Sequence, residues 1–460
     1  MKLNSKVQLQ KYKSFSRDTQ IVIFNAINGL ILKGGSAFIA LFTTPAYMKY
    51  FDNYAVLGIW FTILSVISWI LNFDMGIGNG LRNKLVKEIV NDNKEKQKKY
   101  ISSAYISLFC LSCVFLIFLL VLVYTLNWNN ILNISTDVIH SRTLRITVLI
   151  VLVAILLQFV LRLITSILYA LQVSFIPNLL SLFTSIFMLI YVVYCNKTGH
   201  NNDLIALAIN YFIAVNLPLI VVTILTFTTK LKDARPRMEY FHLKYAKEVF
   251  KMGSSFLILQ FAALLISNTT IYLIAVLIGP QSIVEYDIYN KIFSQIYIVF
   301  SFITIPLWSA ITKNITKKNY IWIKKTVRTL RIMALMVFLA QFSLLIFLQD
   351  IFNLWLGKQS IPINYVSIIT FIIYNGIMLI YNITTTVCNG LNELRTQMKW
   401  MLVAAILNII LAYIFSQIYN NYVSLVVANG ISLLPFCIFQ SIWLNRYIAK
   451  LIDKEANYVN

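Results

Sequence analysis

Residues Ile146–Ala170 read ITVLIVLVAILLQFVLRLITSILYA, an unbroken apolar run whose single charge is Arg162. A helix of about 20 apolar residues crosses the hydrocarbon core of a bilayer, so this stretch predicts a membrane span. Runs of comparable length recur about twelve times along the chain, the first near 21–48, the second near 55–73 and the last near 422–446. A polytopic, all-helical membrane protein follows.

Composition points the same way. Of the 460 residues, 59% are hydrophobic and 12% charged, with a mean hydropathy of +0.75. A soluble globular chain carries about 25% charged residues, so too little polar surface is present to face water. The net charge of +22 would suit nucleic acid, but its placement excludes that partner. The basic residues cluster between apolar runs, at Lys2–Arg17, Lys94–Lys99, Lys230–Lys251 and Lys313–Arg328. Loops over an anionic cytoplasmic leaflet show this pattern. Counting loops then puts both termini in the cytoplasm and makes the number of spans even. The first apolar run is long and continues into a span, so it is expected to be an anchor and not a cleaved signal.

Cys110 and Cys113 form a CxxC, but no second pair or nearby His completes a metal site. These and Cys195, Cys388 and Cys437 are expected to pack as small hydrophobes. The basic stretch 229–252 divides the chain into a first lobe, 1–228, with six spans, and a second, 253–460, with six more. Two lobes that start on the same side of the membrane are parallel repeats, an arrangement transporters use to enclose a cavity and rock.

Charged and strongly polar residues inside a span cost several kcal/mol unless they meet water or a partner. Lys33 lies midway along the first span, on one helical stripe with Asn25, Gly29, Ser36, Ala40 and Thr43. Arg162 shares a stripe with Gln158, Thr165, Ser166 and Tyr169. In the eighth span Asp287, Asn290, Lys291, Ser294 and Gln295 form another polar face. In the tenth stand Asn375, Asn382, Thr386 and Asn389. Each has a plainer reading. Lys33 and Arg162 could snorkel, Asp287 and Lys291 at i, i+4 could neutralise one another, and the asparagines could hold helices together. Basic residues predominate at depth, which suits an anionic cargo such as a diphosphate; a cation exporter would place carboxylates there.

After the second span stands Ser68-Trp69-Ile70-Leu71-Asn72-Phe73-Asp74-Met75-Gly76-Ile77-Gly78-Asn79-Gly80-Leu81-Arg82-Asn83-Lys84-Leu85. Its glycines permit a tight turn and close helix approach. The stretch resembles the Wzx-type polysaccharide flippases of the multidrug/oligosaccharidyl-lipid/polysaccharide (MOP) exporter superfamily. Lys33-Gly34-Gly35-Ser36, Asn290-Lys291-Ile292-Phe293 and Pro306-Leu307-Trp308-Ser309-Ala310 fit the same family. The resemblance implies two six-helix lobes in a V around a central cavity, as in multidrug exporters and lipid II flippases. It implies a bacterial inner-membrane location and a cargo of undecaprenyl-diphosphate-linked oligosaccharide, as in O-antigen assembly. A polysaccharide polymerase and chain-length machinery would be partners besides the membrane lipids. No cofactor is expected; a proton or sodium gradient would supply the drive.

On that reading Lys33, Arg162 and Lys291 would compensate the diphosphate, with Asn25, Gln158, Asn290 and Asn382 meeting sugar hydroxyls. Asp74 and Arg82 would stabilise a gate or the loop turn. The competing readings are a cation-coupled multidrug exporter on the same fold and a polytopic lipid-sugar polymerase or glycosyltransferase. The enzyme reading lacks material, because the outward loops are short and hold few paired carboxylates, and the chain has three His.

Overall fold

A computed structural model describes residues 16–51, 53, 56–64, 76–131, 135–267, 269–279, 282–356 and 360–459. Among these the secondary structure is helical, with no strand. The chain divides into two compact units, Met1–Ser254 and Ser255–Asn460.

The first unit holds α1 (Arg17–Tyr50), α2 (56–64), α3 (Ile77–Val90), α4 (Lys94–Thr125), α5 (Ser141–Leu161), α6 (Leu163–Ala170), α7 (Phe175–Thr198) and α8 (Leu204–Thr228). Local chemistry sets the ends. Asp203 caps α8 by accepting from the Ala206 amide at 2.9 Å. Gly199 closes α7 in the left-handed conformation, φ 74°. Residues 229–252, read from sequence as a basic linker, hold two short 3-10 turns and the first turns of α9 (Leu243–Ser267). The helix begins early because its lysines alternate with an apolar stripe, and Ala246 and Val249 on that stripe are buried.

The second unit continues from α9 through α10 (Thr269–Leu277), α11 (Ser282–Thr316), α12 (Tyr320–Ala340), α13 (Leu344–Leu356), α14 (Tyr365–Leu391), α15 (Leu394–Ile418), α16 (Tyr422–Pro435) and α17 (Ser441–Val459). A π-helical turn at Phe436–Gln440 joins α16 to α17 directly after Pro435, where proline removes a ladder hydrogen bond.

Ten helical segments among the described residues are long and apolar enough to cross a membrane. They fall on the third to twelfth of the expected spans. α1 occupies the first, and α2 is the described part of the second. Lys94–Thr125 shows what the solvent must be: 17% of its most apolar window is buried, leaving Phe109, Ile117, Phe118 and Val121 exposed. Such a surface is stable against lipid and not against water.

Each unit has its own core. In the first, Tyr50, Trp60, Leu144, Val192 and Leu207 pack in one cluster, and Leu81, Leu85, Ile101, Ile164 and Val249 in another. In the second, Phe371 stacks on Tyr289 and Phe293 at centroid distances of 5.8 and 5.5 Å. Buried amides tie the helices where apolar contact alone gives little directionality. Asn408 donates to Asn429 at 2.7 Å, and Asn429 donates to Thr270 at 3.0 Å.

Candidate functional site

The basic cluster of the first unit begins at a break in a helix. α5 stops at Leu161 and α6 starts at Leu163, with Arg162 at the joint. No proline or glycine stands there. The Thr165 hydroxyl donates to the Arg162 carbonyl at 2.7 Å, drawing the chain off its i to i−4 ladder, a known way for Thr to bend a helix. Arg162 is thereby set at a bend in the second half of the Ser141–Ala170 span, with its side chain half-buried.

Around that joint the structure gathers two more basic side chains. Lys33 of α1 and Arg162 are close enough for their charges to act on each other. Tyr169 of α6 feels both Arg162 and Arg82, and the Arg82 guanidinium lies 4.8 Å from the centre of the Tyr169 ring, a cation–π distance. Tyr211 of α8 also lies in the field of Arg162. Arg82 of α3 and Arg162 at the α5–α6 joint thus share one tyrosine ring, and Lys33 of α1 joins them through Arg162. Arg82 is buried, with 3% of its surface exposed. Burial pushes its guanidinium down to about 9 and the Tyr169 hydroxyl opposes the shift, so Arg82 keeps its charge at neutral pH.

Gln158, one turn before Arg162, adds a buried Oε1 with no hydrogen-bond partner among the described residues. A buried unpaired acceptor costs about 1–3 kcal/mol, and a donor from a bound polar molecule would offset it. Like charges held together repel, and an anion placed among them would offset that repulsion.

The other candidates are placed differently. Asn25 is buried and its amide donates to the Ile21 and Gln172 carbonyls, both at 2.9 Å, while its Oδ1 accepts from the Phe175 amide at 3.2 Å. It fastens α1 to the α6–α7 turn, where Gln172 has φ 61°. Asn25→Leu is expected to lower folding stability by about 1–3 kcal/mol through the backbone groups it orphans; thermal melting of the purified variant in detergent measures this.

Lys291 pairs with Asp287 one turn earlier on α11, Nζ to Oδ2 2.6 Å, as the i, i+4 spacing allows. Asn290 is half-buried beside it. On α14 Asn375 donates to the Phe293 carbonyl at 3.0 Å and to Gln341 at 2.9 Å, a cross-helix tie. Asn382 lies beside Tyr297, and its Oδ1 is buried without a partner among the described residues. Asp74 and Ala40's side chain lie outside the described residues.

Sequence reasoning missed the ion cluster at one end of the first unit. Glu248 of α9 accepts from Lys84 at 2.7 Å and from the Tyr100 hydroxyl at 2.6 Å, binding α3, α4 and α9. Just beyond it the glycine-rich stretch makes its contact: a Cβ on Gly80 would sit 2.6 Å from the Val249 carbonyl oxygen and 3.1 Å from the Gly253 nitrogen. Gly76 opens α3 with φ 64°.

The polysaccharide biosynthesis protein family matches residues 53–311, more than half of the chain. The chain belongs to that family. The match takes in the whole Ser68–Leu85 stretch, so the resemblance to polysaccharide flippases of the MOP superfamily is borne out. No curated protein sequence matches. Among solved structures, an outward-facing multidrug resistance MATE family transporter of the MOP superfamily aligns at TM-score 0.75 and 13% identity, covering 95% of this chain and 97% of that one. The Vibrio cholerae MATE transporter VcmN in the bent form aligns at TM-score 0.75 and 14% identity, covering 96% and 98%. A MOP superfamily transporter from Pyrococcus furiosus, described as having a binding pocket of reverse polarity, aligns at TM-score 0.71 and 14% identity, covering 95% and 97%. At such identities the likeness establishes the fold. This member of the polysaccharide biosynthesis family is therefore a multi-pass membrane protein with the all-helical fold seen in MOP transporters.

Proposed function

We propose that the protein moves an undecaprenyl-diphosphate-linked oligosaccharide, such as an O-antigen repeat unit, from the cytoplasmic to the periplasmic leaflet of a bacterial inner membrane by alternating access. The observation that carries this reading is the Lys33–Arg162–Arg82 cluster within a member of the polysaccharide biosynthesis family. A diphosphate taken out of water needs cations in a low-dielectric site. Gln158, Tyr169 and Tyr211 stand beside those cations and suit sugar hydroxyls. Lys291, Asn290 and Asn382 are proposed as contacts in the second unit, with Arg82 holding α3 in place. Asp74 is kept as a loop-structure residue of the decisive stretch.

For the Pyrococcus transporter, reverse polarity of the binding pocket suggests a different function; here the basic cluster supports an anionic cargo over a cationic one. Differential affinity of the two access states for the cargo would bias the switch, with a proton or sodium gradient supplying the drive. A polymerase and chain-length machinery would act on the delivered unit.

Deleting the gene and scoring surface polysaccharide tests the reading. Loss on deletion and restoration by the wild-type chain are expected. Normal polysaccharide in the deletion strain, with raised drug sensitivity, would replace the proposal with multidrug export.

A further inference from the structure

The second unit carries a groove that the transport reading does not use. Two adjoining cavities, of about 610 and 540 Å³, run along one face of α12 and share Arg331 and Leu335 in their walls. The larger is apolar, walled by Phe338, Ile377 and Ile380 and reaching Cys437 beyond α16. The smaller is walled by Lys324, Arg328 and Asn445. Along α12 the positions 324, 328, 331, 335 and 338 follow i+4, i+3 spacing, so one helical stripe runs from cationic to greasy. No carboxylate among the described residues lines either cavity.

Arg331 stands at the junction. Its Nη1 donates to Asn445 Oδ1 at 3.0 Å, while its Nη2 is buried with no hydrogen-bond partner among the described residues. A guanidinium at the edge of a membrane groove is costly when its Nη2 donors are unused. An anion with an attached hydrocarbon chain answers both halves of the groove: phosphate oxygens at Arg331 and Arg328, the chain against Phe338 and Ile380. The close packing of Gly376 against the Phe338 ring, where a Cβ would fall 2.6 Å from a ring carbon, fixes that wall.

We propose that this groove binds an anionic phospholipid of the surrounding membrane. The site is separate from the basic cluster of the first unit and stands or falls independently of the cargo. Charge selects the occupant, because a zwitterionic lipid brings a cation of its own to a wall that is already basic. The apolar half selects a lipid over free phosphate.

Native mass spectrometry of the full-length protein in detergent, with phosphatidylglycerol and phosphatidylcholine added in equal amounts, tests it. Preferential retention of phosphatidylglycerol is expected. Arg328→Gln and Arg331→Gln should each reduce that preference about fivefold, the effect of roughly one interfacial charge. Leu335→Trp, a filling substitution at an exposed position, should lower retention of both lipids with the charges intact, and it keeps the test open should an arginine variant fold poorly. Equal retention of the two lipids by the wild type, or an unchanged preference in folded arginine variants, would overturn the proposal. So would displacement of phosphatidylglycerol by equimolar undecaprenyl phosphate, which would assign the groove to a polyprenyl carrier.

Discussion

Gly80→Ala is expected to destabilise the first unit by about 1–3 kcal/mol, the usual cost of overpacking, against a total stability of about 5–15 kcal/mol for a typical domain. The added Cβ meets backbone on the facing helix, the Val249 carbonyl at 2.6 Å and the Gly253 nitrogen at 3.1 Å. Backbone cannot rotate away as a side-chain tip can, so α3 and α9 must move apart. Their separation would also strain the Lys84–Glu248–Tyr100 ties beside the crossing. Gly253→Ala should act similarly, since its Cβ would lie 3.1 Å from the Ile77 backbone. Gly34→Ala is the control. Nothing lies within 4 Å of a Cβ there, and alanine is favoured over glycine inside a helix by about 0.5–1 kcal/mol. Melting temperatures of the purified variants decide the matter: a fall for Gly80→Ala with no fall for Gly34→Ala is expected, and equal behaviour would refute the close-crossing explanation.

Arg162→Ala is expected to reduce polysaccharide export at least roughly tenfold, since a charge-assisted hydrogen bond is worth about 1.5–3 kcal/mol. Arg162→Lys should retain part of the activity, keeping the charge but losing the bidentate fork. Lys33→Ala should also impair export. Because the two cations act on one another, removing both should cost less than the sum of the single losses. Export is scored as surface polysaccharide in the deletion strain, at equal membrane levels of each variant. Full export by Arg162→Ala would remove the cluster from the mechanism while leaving the family untouched.

The spans were legible because bilayer thickness imposes a length that few other constraints mimic. The pairing of Asp287 with Lys291 was legible too, since an i, i+4 relation lies within one helix. The glycine-rich stretch announced a close approach but not its partner, because Gly253 is remote in sequence from Gly80. Asn25 shows how a helical stripe misleads: its position on the Lys33 face is correct, yet its side chain reaches a turn 147 residues away. The bend at Arg162 carried no proline or glycine to mark it, only a Thr at i+3 whose hydroxyl turned inward. Arg331 lies just past the Lys313–Arg328 run and drew no reading from sequence, because the walls that make it a groove residue come from α14 and α17.

The most direct measurement is flipping in proteoliposomes. The purified protein is reconstituted with undecaprenyl-diphosphate-linked oligosaccharide, and exposure of the glycan at the outer face is followed with a membrane-impermeant lectin. The account predicts time-dependent exposure that needs the protein and drops sharply with Arg162→Ala. Glycan that stays hidden with folded wild-type protein, under imposed proton and sodium gradients alike, would contradict it.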